Sequence, residues 1–213
     1  VLTSVLLVLY WLAFVFIPVP GWEGDIYSDK MNLAIYIDNI VLGQFHRPGS
    51  WQVLATVNFI SNMMIGVLAG HIMKKISDNK KVIRLLLIYG LSIIILGIAW
   101  GYVFPIIRNL WTSSFVLVTC GISLVLLAIF KYLIDVCNWK KWSFFFVVFG
   151  VNSITIYMMA HLFDFRLIGN IFIGGFSRLF SLPVQDFIQA LGAMTVMWLS
   201  MYFLYRKKIF LKI

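Results

Sequence analysis

The chain reads as all-α: a polytopic bundle of about six transmembrane helices, with a short interfacial helix in the first outer loop. Three observations predict this. Of its 213 residues, 62% are hydrophobic and 12% charged, far from the balance of a soluble domain. The apolar residues come in runs of about 20, the length that crosses ~30 Å of hydrocarbon at ~1.5 Å per residue. The basic residues are also unevenly placed. Lys74, Lys75, Lys80, Lys81 and Arg84, then Lys131, Lys140 and Lys141, then Arg206, Lys207, Lys208 and Lys212 fall on one side, leaving Lys30, Arg47, Arg108, Arg166 and Arg178 for the other. Loop Lys and Arg mark the cytoplasmic face. The net charge of +9 therefore reports topology, and nucleic acid is not an expected partner. A multi-pass integral membrane protein with a cytoplasmic C-terminus is expected, 1–213 forming a single transmembrane domain.

The first span, Val1 to Pro20, runs outward and is stopped by Pro18, Val19 and Pro20, since proline lacks an amide donor. The chain opens inside this apolar run, without the basic start of a signal peptide, and reads as one whose N-terminal portion is missing. Gly21 to Ser50 is too long for a plain connector. Asp29 is placed to cap a helix from Lys30 to Leu42, and Gly43 to end it. That helix is apolar on most sides with Asp38 as its lone acid, which suits an interfacial position. His46-Arg47-Pro48-Gly49 turns the chain back.

The second span, Trp51 to Met73, carries Thr56, Asn58, Ser61 and Asn62 in its outer half. Amides in hydrocarbon need partners, so that half should face protein or a wet cavity. Gly66 and Gly70 form a GxxxG pair that permits close helix approach. After the basic loop Lys74 to Arg84, the third span, Val82 to Phe104, leads into the hairpin around which the chain is organised. Pro105 closes that helix, Arg108, Asn109 and Trp111 form the tip, and Thr112, Ser113 and Ser114 open the fourth span, Thr112 to Val136. Trp111 is expected at the bilayer surface with its N–H wet. The hydroxyls should turn toward whatever lies there.

On the fourth span Ser113, Cys120 and Ser123 share one face, and Lys131 and Asp135 are spaced to pair across a turn. Cys120 and Cys137 sit at different depths, which disfavours a disulfide. The fifth span, Ser143 to Phe163, aligns Gly150, Ser153, Tyr157, Ala160, His161 and Asp164 within about a third of the helix circumference, with Asn152 off that stripe. Arg166 to Pro183 is an outer connection placed to dip into the interface. The sixth span, Val184 to Tyr205, ends in the basic tail.

Together these placements predict an outer polar layer of Asn58, Asn62, Arg108, Asn109, Ser113, Ser114, Tyr157, His161 and Asp164. Convergent polar groups among membrane helices are the default functional site. His161 and Asp164, three apart, suit a carboxylate-oriented imidazole acting as general base, or an interfacial pair whose tips reach water. The sequence contains no metal-ligand cluster, nucleophile elbow, P-loop or dinucleotide fingerprint.

Several stretches together resemble one family. They are Pro105-Ile106-Ile107-Arg108-Asn109-Leu110-Trp111 with Ser114-Phe115-Val116, Ile17-Pro18-Val19-Pro20-Gly21, Asn152-Ser153-Ile154 with Tyr157, Tyr205-Arg206-Lys207-Lys208-Ile209-Phe210 and, more weakly, Gly66 to Gly70. Their order and spacing resemble the C-terminal half of the heparan-α-glucosaminide N-acetyltransferase family of multi-pass membrane acyltransferases. The resemblance implies acetyl-coenzyme A (acetyl-CoA) as donor on the inner side and a sugar or glycan acceptor on the outer, an amino sugar in the animal members. It also implies an N-terminal half, missing here, that supplies the key histidine. A bacterial inner membrane is the expected location, and a homodimer is left open. His161 falls at or next to a histidine of the animal pattern, and Pro48-Gly49-Ser50-Trp51 stands where Asp-Pro-Glu-Gly is common. On this reading Arg108, Asn109, Trp111, Ser113, Ser114, Asn152, Ser153, Tyr157, Asn58, Asn62 and Asp38 line the substrate path, with His161 and Asp164 as candidate catalytic groups. A small-molecule transporter and a non-catalytic structural subunit are the alternatives.

Overall fold

A computed structural model describes residues 2–28, 31–45 and 52–210. The expected cap at Asp29, the turn at His46–Gly49, the start of the second span at Trp51 and the basic Lys212 lie outside the described residues. All regular structure among the described residues is helical. The chain divides into two compact units, Val1–Asn138 and Trp139–Ile213.

The first unit holds α1 (Leu2–Phe16), α2 (Leu33–Leu42), α3 (Thr56–Lys75), α4 (Asn79–Gly101) and α5 (Ser113–Lys131), which widens into a π turn at Tyr132–Val136. α2 is capped by Asn32, whose side chain accepts from the Ile35 amide at 3.0 Å, and ends at Gly43, where φ is +53°. Its buried face, Leu33 and Ala34, joins Tyr10, Phe14, Phe104 and Leu110 in one apolar cluster, while Ile40 and Val41 face outward. A second cluster of Ala69, Val82, Leu86, Leu124 and Ala128 packs the opposite end, beside the basic α3–α4 loop. The 23 residues of α4 separate these ends by about 35 Å. Arg108 and Lys74 therefore stand on opposite rims.

α4 and α5 make the closest approach in this unit. A Cβ on Gly121 would sit 2.7 Å from the Gly90 oxygen, and one on Gly97 would sit 2.9 Å from the Leu117 Cβ. The GxxxG pair does not do this job: a Cβ at Gly66 or Gly70 would meet nothing within 4 Å. Near the end of α5, Lys131 and Asp135 form the expected ion pair at 2.8 Å.

The second unit holds α6 (Ser143–Val151), α7 (Ser153–Leu162), α8 (Phe165–Ser177) and α9 (Leu182–Arg206). The fifth span is not straight. It breaks at Asn152 (φ −122°, ψ 39°), and α6 and α7 are bent by 76°. Gly150 thus belongs to a different axis from Ser153, Tyr157 and His161, and the six-residue stripe does not form. Nor is Arg166 to Pro183 mere connection, since α8 packs along α9. A Cβ on Gly169 would lie 2.8 Å from the Ala193 amide nitrogen, and Gln189 donates to the Ser177 hydroxyl at 3.4 Å.

Among the described residues, four helices are long and apolar enough to cross a bilayer (α3, α4, α5 with its π turn, and α9), or five if α6 and α7 count as one broken span. α1 has 15 helical residues, about 22 Å. The stretch from Ile17 to Pro20 continues its hydrophobicity but not its helix, as the two prolines dictate.

Candidate functional site

The α4–α5 hairpin is tied by the hydroxyls that open α5. α4 ends at Gly101, ahead of Pro105, whose predecessor is pushed out of helical conformation. The Ser114 hydroxyl donates to the Phe104 oxygen at 2.6 Å, and Thr112 Oγ1 accepts from the Ile107 amide at 3.1 Å. Ser113 donates to the Leu7 oxygen at 2.7 Å, bringing in α1. Asn58 on α3 donates to the Trp111 oxygen at 2.7 Å and reaches Ser113 Oγ at 3.4 Å. Thr112, Ser113, Ser114 and Asn58 are all fully buried. These hydroxyls therefore turn into the protein rather than out at the rim. Ser114 and Thr112 satisfy a carbonyl and an amide released by the chain reversal, whose exposure to hydrocarbon would be costly, and Ser113 ties the hairpin to α1.

Trp111 differs from expectation in the same direction. Its backbone is left-handed, with φ +51°, its ring stacks edge-on against Phe59 and Phe115, and its indole nitrogen is buried rather than wet. Asn62 accepts from the Cys120 thiol at 2.6 Å. Asp38 is buried and accepts from the Val53 amide at 2.8 Å, which fastens α2 to the turn preceding α3. Arg108 and Asn109 remain exposed at the hairpin tip. Within the first unit, then, the predicted amides and hydroxyls converge, but on a sealed knot of hydrogen bonds. One buried acceptor there, Asn58 Oδ1, has no partner among the described residues.

In the second unit the polar groups sit at a break. α8 runs antiparallel to α9. Asn152, before α7, donates to the Ile209 oxygen at 3.2 Å; Gly169 lies against Ala193; Ser177 meets Gln189. Between α7 and α8 the limb is interrupted at Phe163–Asp164. A cavity of about 570 Å³ opens there, lined by His161, Asp164 and Arg166 and, on α9, by Ala193 and Met197. Those two are the twelfth and sixteenth of the 25 residues of α9, so the cavity lies beside its middle. If α9 crosses the bilayer, His161 and Asp164 stand near mid-depth, not in an outer layer.

His161 and Asp164 are not bonded to each other. Asp164 is the N-cap of α8, and its Oδ1 accepts from the amides of Arg166 and Leu167 at 2.9 and 3.1 Å. His161 Nδ1 lies 2.8 Å from the Tyr157 oxygen. A carbonyl only accepts, so Nδ1 donates here, and Nε2 has no partner among the described residues. The Tyr157 ring packs against the imidazole with centroids 4.5 Å apart. Ser153 is exposed at the start of α7, whereas Asn152 is buried at the bend, its Oδ1 without a partner among the described residues.

Arg166 was no part of the predicted layer, yet its side chain lines the same cavity. Its signal lay in the sequence. Phe165 to Ser177 alternates apolar and small residues at helical spacing, and an arginine in the first turn of such a helix inside an apolar region is a functional marker.

The fold and its two polar clusters define a polytopic helical membrane protein with one discontinuous limb. Along its whole length this chain is similar to heparan-alpha-glucosaminide N-acetyltransferase of Mus musculus, 29% identical over 255 residues that cover 100% of this chain and 37% of that protein. The Homo sapiens protein of the same name is 28% identical over 243 residues, 95% of this chain and 35% of that one. The resemblance first seen in separate motifs thus extends across the chain, and it supports an acyltransferase-like role. The chain spans about a third of the length of the curated relatives it matches. No family model and no solved structure matches it.

Proposed function

We propose that this chain forms part of an integral membrane acyltransferase that moves an acetyl group from cytoplasmic acetyl-CoA to an extracytoplasmic sugar or glycan acceptor. The observation that carries the reading is the similarity of nearly the whole of this chain to about a third of two N-acetyltransferases. The geometry adds a place for chemistry. The α7–α8 break brings an imidazole, a carboxylate and a guanidinium to the middle of α9. Attack on a thioester needs the acceptor to lose a proton, and a neutral imidazole is suited to take it. The chain's remaining length in its relatives is expected to supply further catalytic groups, including the principal base. The distribution of loop Lys and Arg supports a cytoplasmic side for the α3–α4 connection and the C-terminus, and a bacterial inner membrane is the location proposed.

The test uses the full-length protein in sealed vesicles, with acetyl-labelled coenzyme A outside and glucosamine inside. Labelled N-acetylglucosamine in the lumen is the expected product. A second reading, a transporter, is favoured by the discontinuous limb, since broken helices commonly line transport sites. It predicts glucosamine flux without acetyl transfer, and that outcome would overturn the enzyme reading.

A further inference from the structure

We propose that the groove between α4 and the π turn ending α5 is a binding site for an anionic phospholipid. It is an open groove of about 460 Å³ at the basic end of the first unit, and it shares no lining residue with either polar cluster. Lys80 and Arg84 stand at its mouth, one helical turn apart on α4. Neither side chain has an acidic partner among the described residues. The acids nearby are engaged elsewhere: Asp78 caps α4 through the Lys80 amide at 2.9 Å, and Asp135 is held by Lys131 at 2.8 Å. The mouth is left with two uncompensated cations.

Below them the surface changes character. Ile83, Leu87 and Leu91 continue down the same face of α4 at successive turns, and Ile88 beside them is half exposed. From Lys80 to Leu91 this face runs about 16 Å, the depth of one leaflet of a ~30 Å hydrocarbon core. The opposite wall comes from the π turn, closed by the Cys137 amide on the Tyr132 oxygen at 3.0 Å. Its wider ring sets Tyr132 and Val136 on the groove. Such π turns recur at functional positions. A phosphate between two cations, above an apolar channel one leaflet deep, is the chemistry of an acidic lipid, and basic pockets between helices recognise such headgroups. A free phosphate or a coenzyme fits less well, because apart from Lys80, Arg84 and Tyr132 the lining is entirely aliphatic.

The experiment uses the full-length protein, delipidated in a nonionic detergent. Native mass spectrometry reads retention of phosphatidylglycerol against phosphatidylcholine of the same acyl chains, with inorganic phosphate and coenzyme A as competitors. Phosphatidylglycerol should be retained preferentially and should raise the melting temperature, with neither competitor displacing it. The K80Q/R84Q variant should bind it about thirtyfold more weakly, given two cations near an acidic headgroup. The K74Q/K75Q variant, which removes the same charge outside the groove, should bind as wild type. Leu87→Trp, which fills the channel and keeps both cations, should also lose the lipid. Equal retention of the two lipids by the wild type overturns the proposal even if a variant fails to fold. Full displacement by phosphate or coenzyme A overturns it in favour of a soluble anion, and equal weakening in both double variants in favour of a diffuse basic field. None of these readouts depends on acetyl transfer.

Discussion

Asn58 donates its side-chain amide to the main-chain oxygen of Trp111 over 2.7 Å, across 53 residues of sequence. That bond explains why the turn before α5 holds a left-handed Trp111, because the carbonyl it turns inward finds a donor on α3. Asn58→Ala removes the donor and leaves the Trp111 oxygen and Ser113 with less than they need in a dry site. The expected cost is about 1–3 kcal/mol, the penalty for stranding a buried polar group. A melting curve in detergent measures it. Asn58→Ala melting like the wild type would show the bond to be incidental.

The seam between α4 and α5 makes a contrasting prediction. Gly121→Ala places a methyl group within 2.7 Å of the Gly90 oxygen and 2.6 Å of Ile94 Cγ1, with backbone on one side and nothing to yield. The helices must part, at a cost of about 1–3 kcal/mol typical of overpacking. Gly66→Ala and Gly70→Ala meet no atom within 4 Å and should melt at or above the wild-type temperature, since alanine favours helix by ~1 kcal/mol over glycine. If these two also destabilise the full-length protein, the GxxxG face is covered by something beyond the contacts described above.

Asn152 offers a third test, of why the fifth apolar stretch is not one helix. Its amide donates to the Ile209 oxygen while its own oxygen is buried without a partner among the described residues. Leucine at 152 cannot hold that carbonyl and favours continuous helix. Spin labels at positions 146 and 162 should lie about 24 Å apart on a straight helix and nearer 19 Å when it is bent by 76°. Asn152→Leu should shift the population toward the longer distance. An unchanged short distance would assign the bend to packing on α9 instead.

Much of this architecture was legible from composition and punctuation. The long spans, the closure before Pro105, the Lys131–Asp135 pair and the α2 terminus at Gly43 follow from local rules, and each appears where local rules put it. What failed needed a partner's identity. GxxxG marks where a helix can be approached, not by what, and the actual approach pairs Gly90 and Gly97 with the α5 seam around Gly121. The hydroxyls of Thr112, Ser113 and Ser114 pointed to a polar rim because residue type does not reveal which way a side chain turns at a helix start. The His161–Asp164 reading assumed an unbroken helix through position 164. Asp164 instead begins a new one, where an acidic cap is worth more to the backbone than to the imidazole.

That last point gives the sharpest prediction about the α7–α8 break. Asp164 has two separable roles, capping α8 and placing a negative charge in the cavity beside His161 and Arg166. Asparagine caps as well as aspartate does, whereas alanine costs about 1 kcal/mol. Asp164→Ala should therefore lower the melting temperature and Asp164→Asn should not. If the cavity takes part in acyl transfer, Asp164→Asn should still lower turnover of the full-length enzyme, because it removes the negative charge that lines the cavity with His161 and Arg166. His161→Gln, which keeps a polar side chain but no titrating nitrogen, should reduce kcat by about 10²–10⁴ if the imidazole moves the proton. Wild-type turnover in both variants would leave the break a structural hinge, with the proton handled elsewhere in the protein.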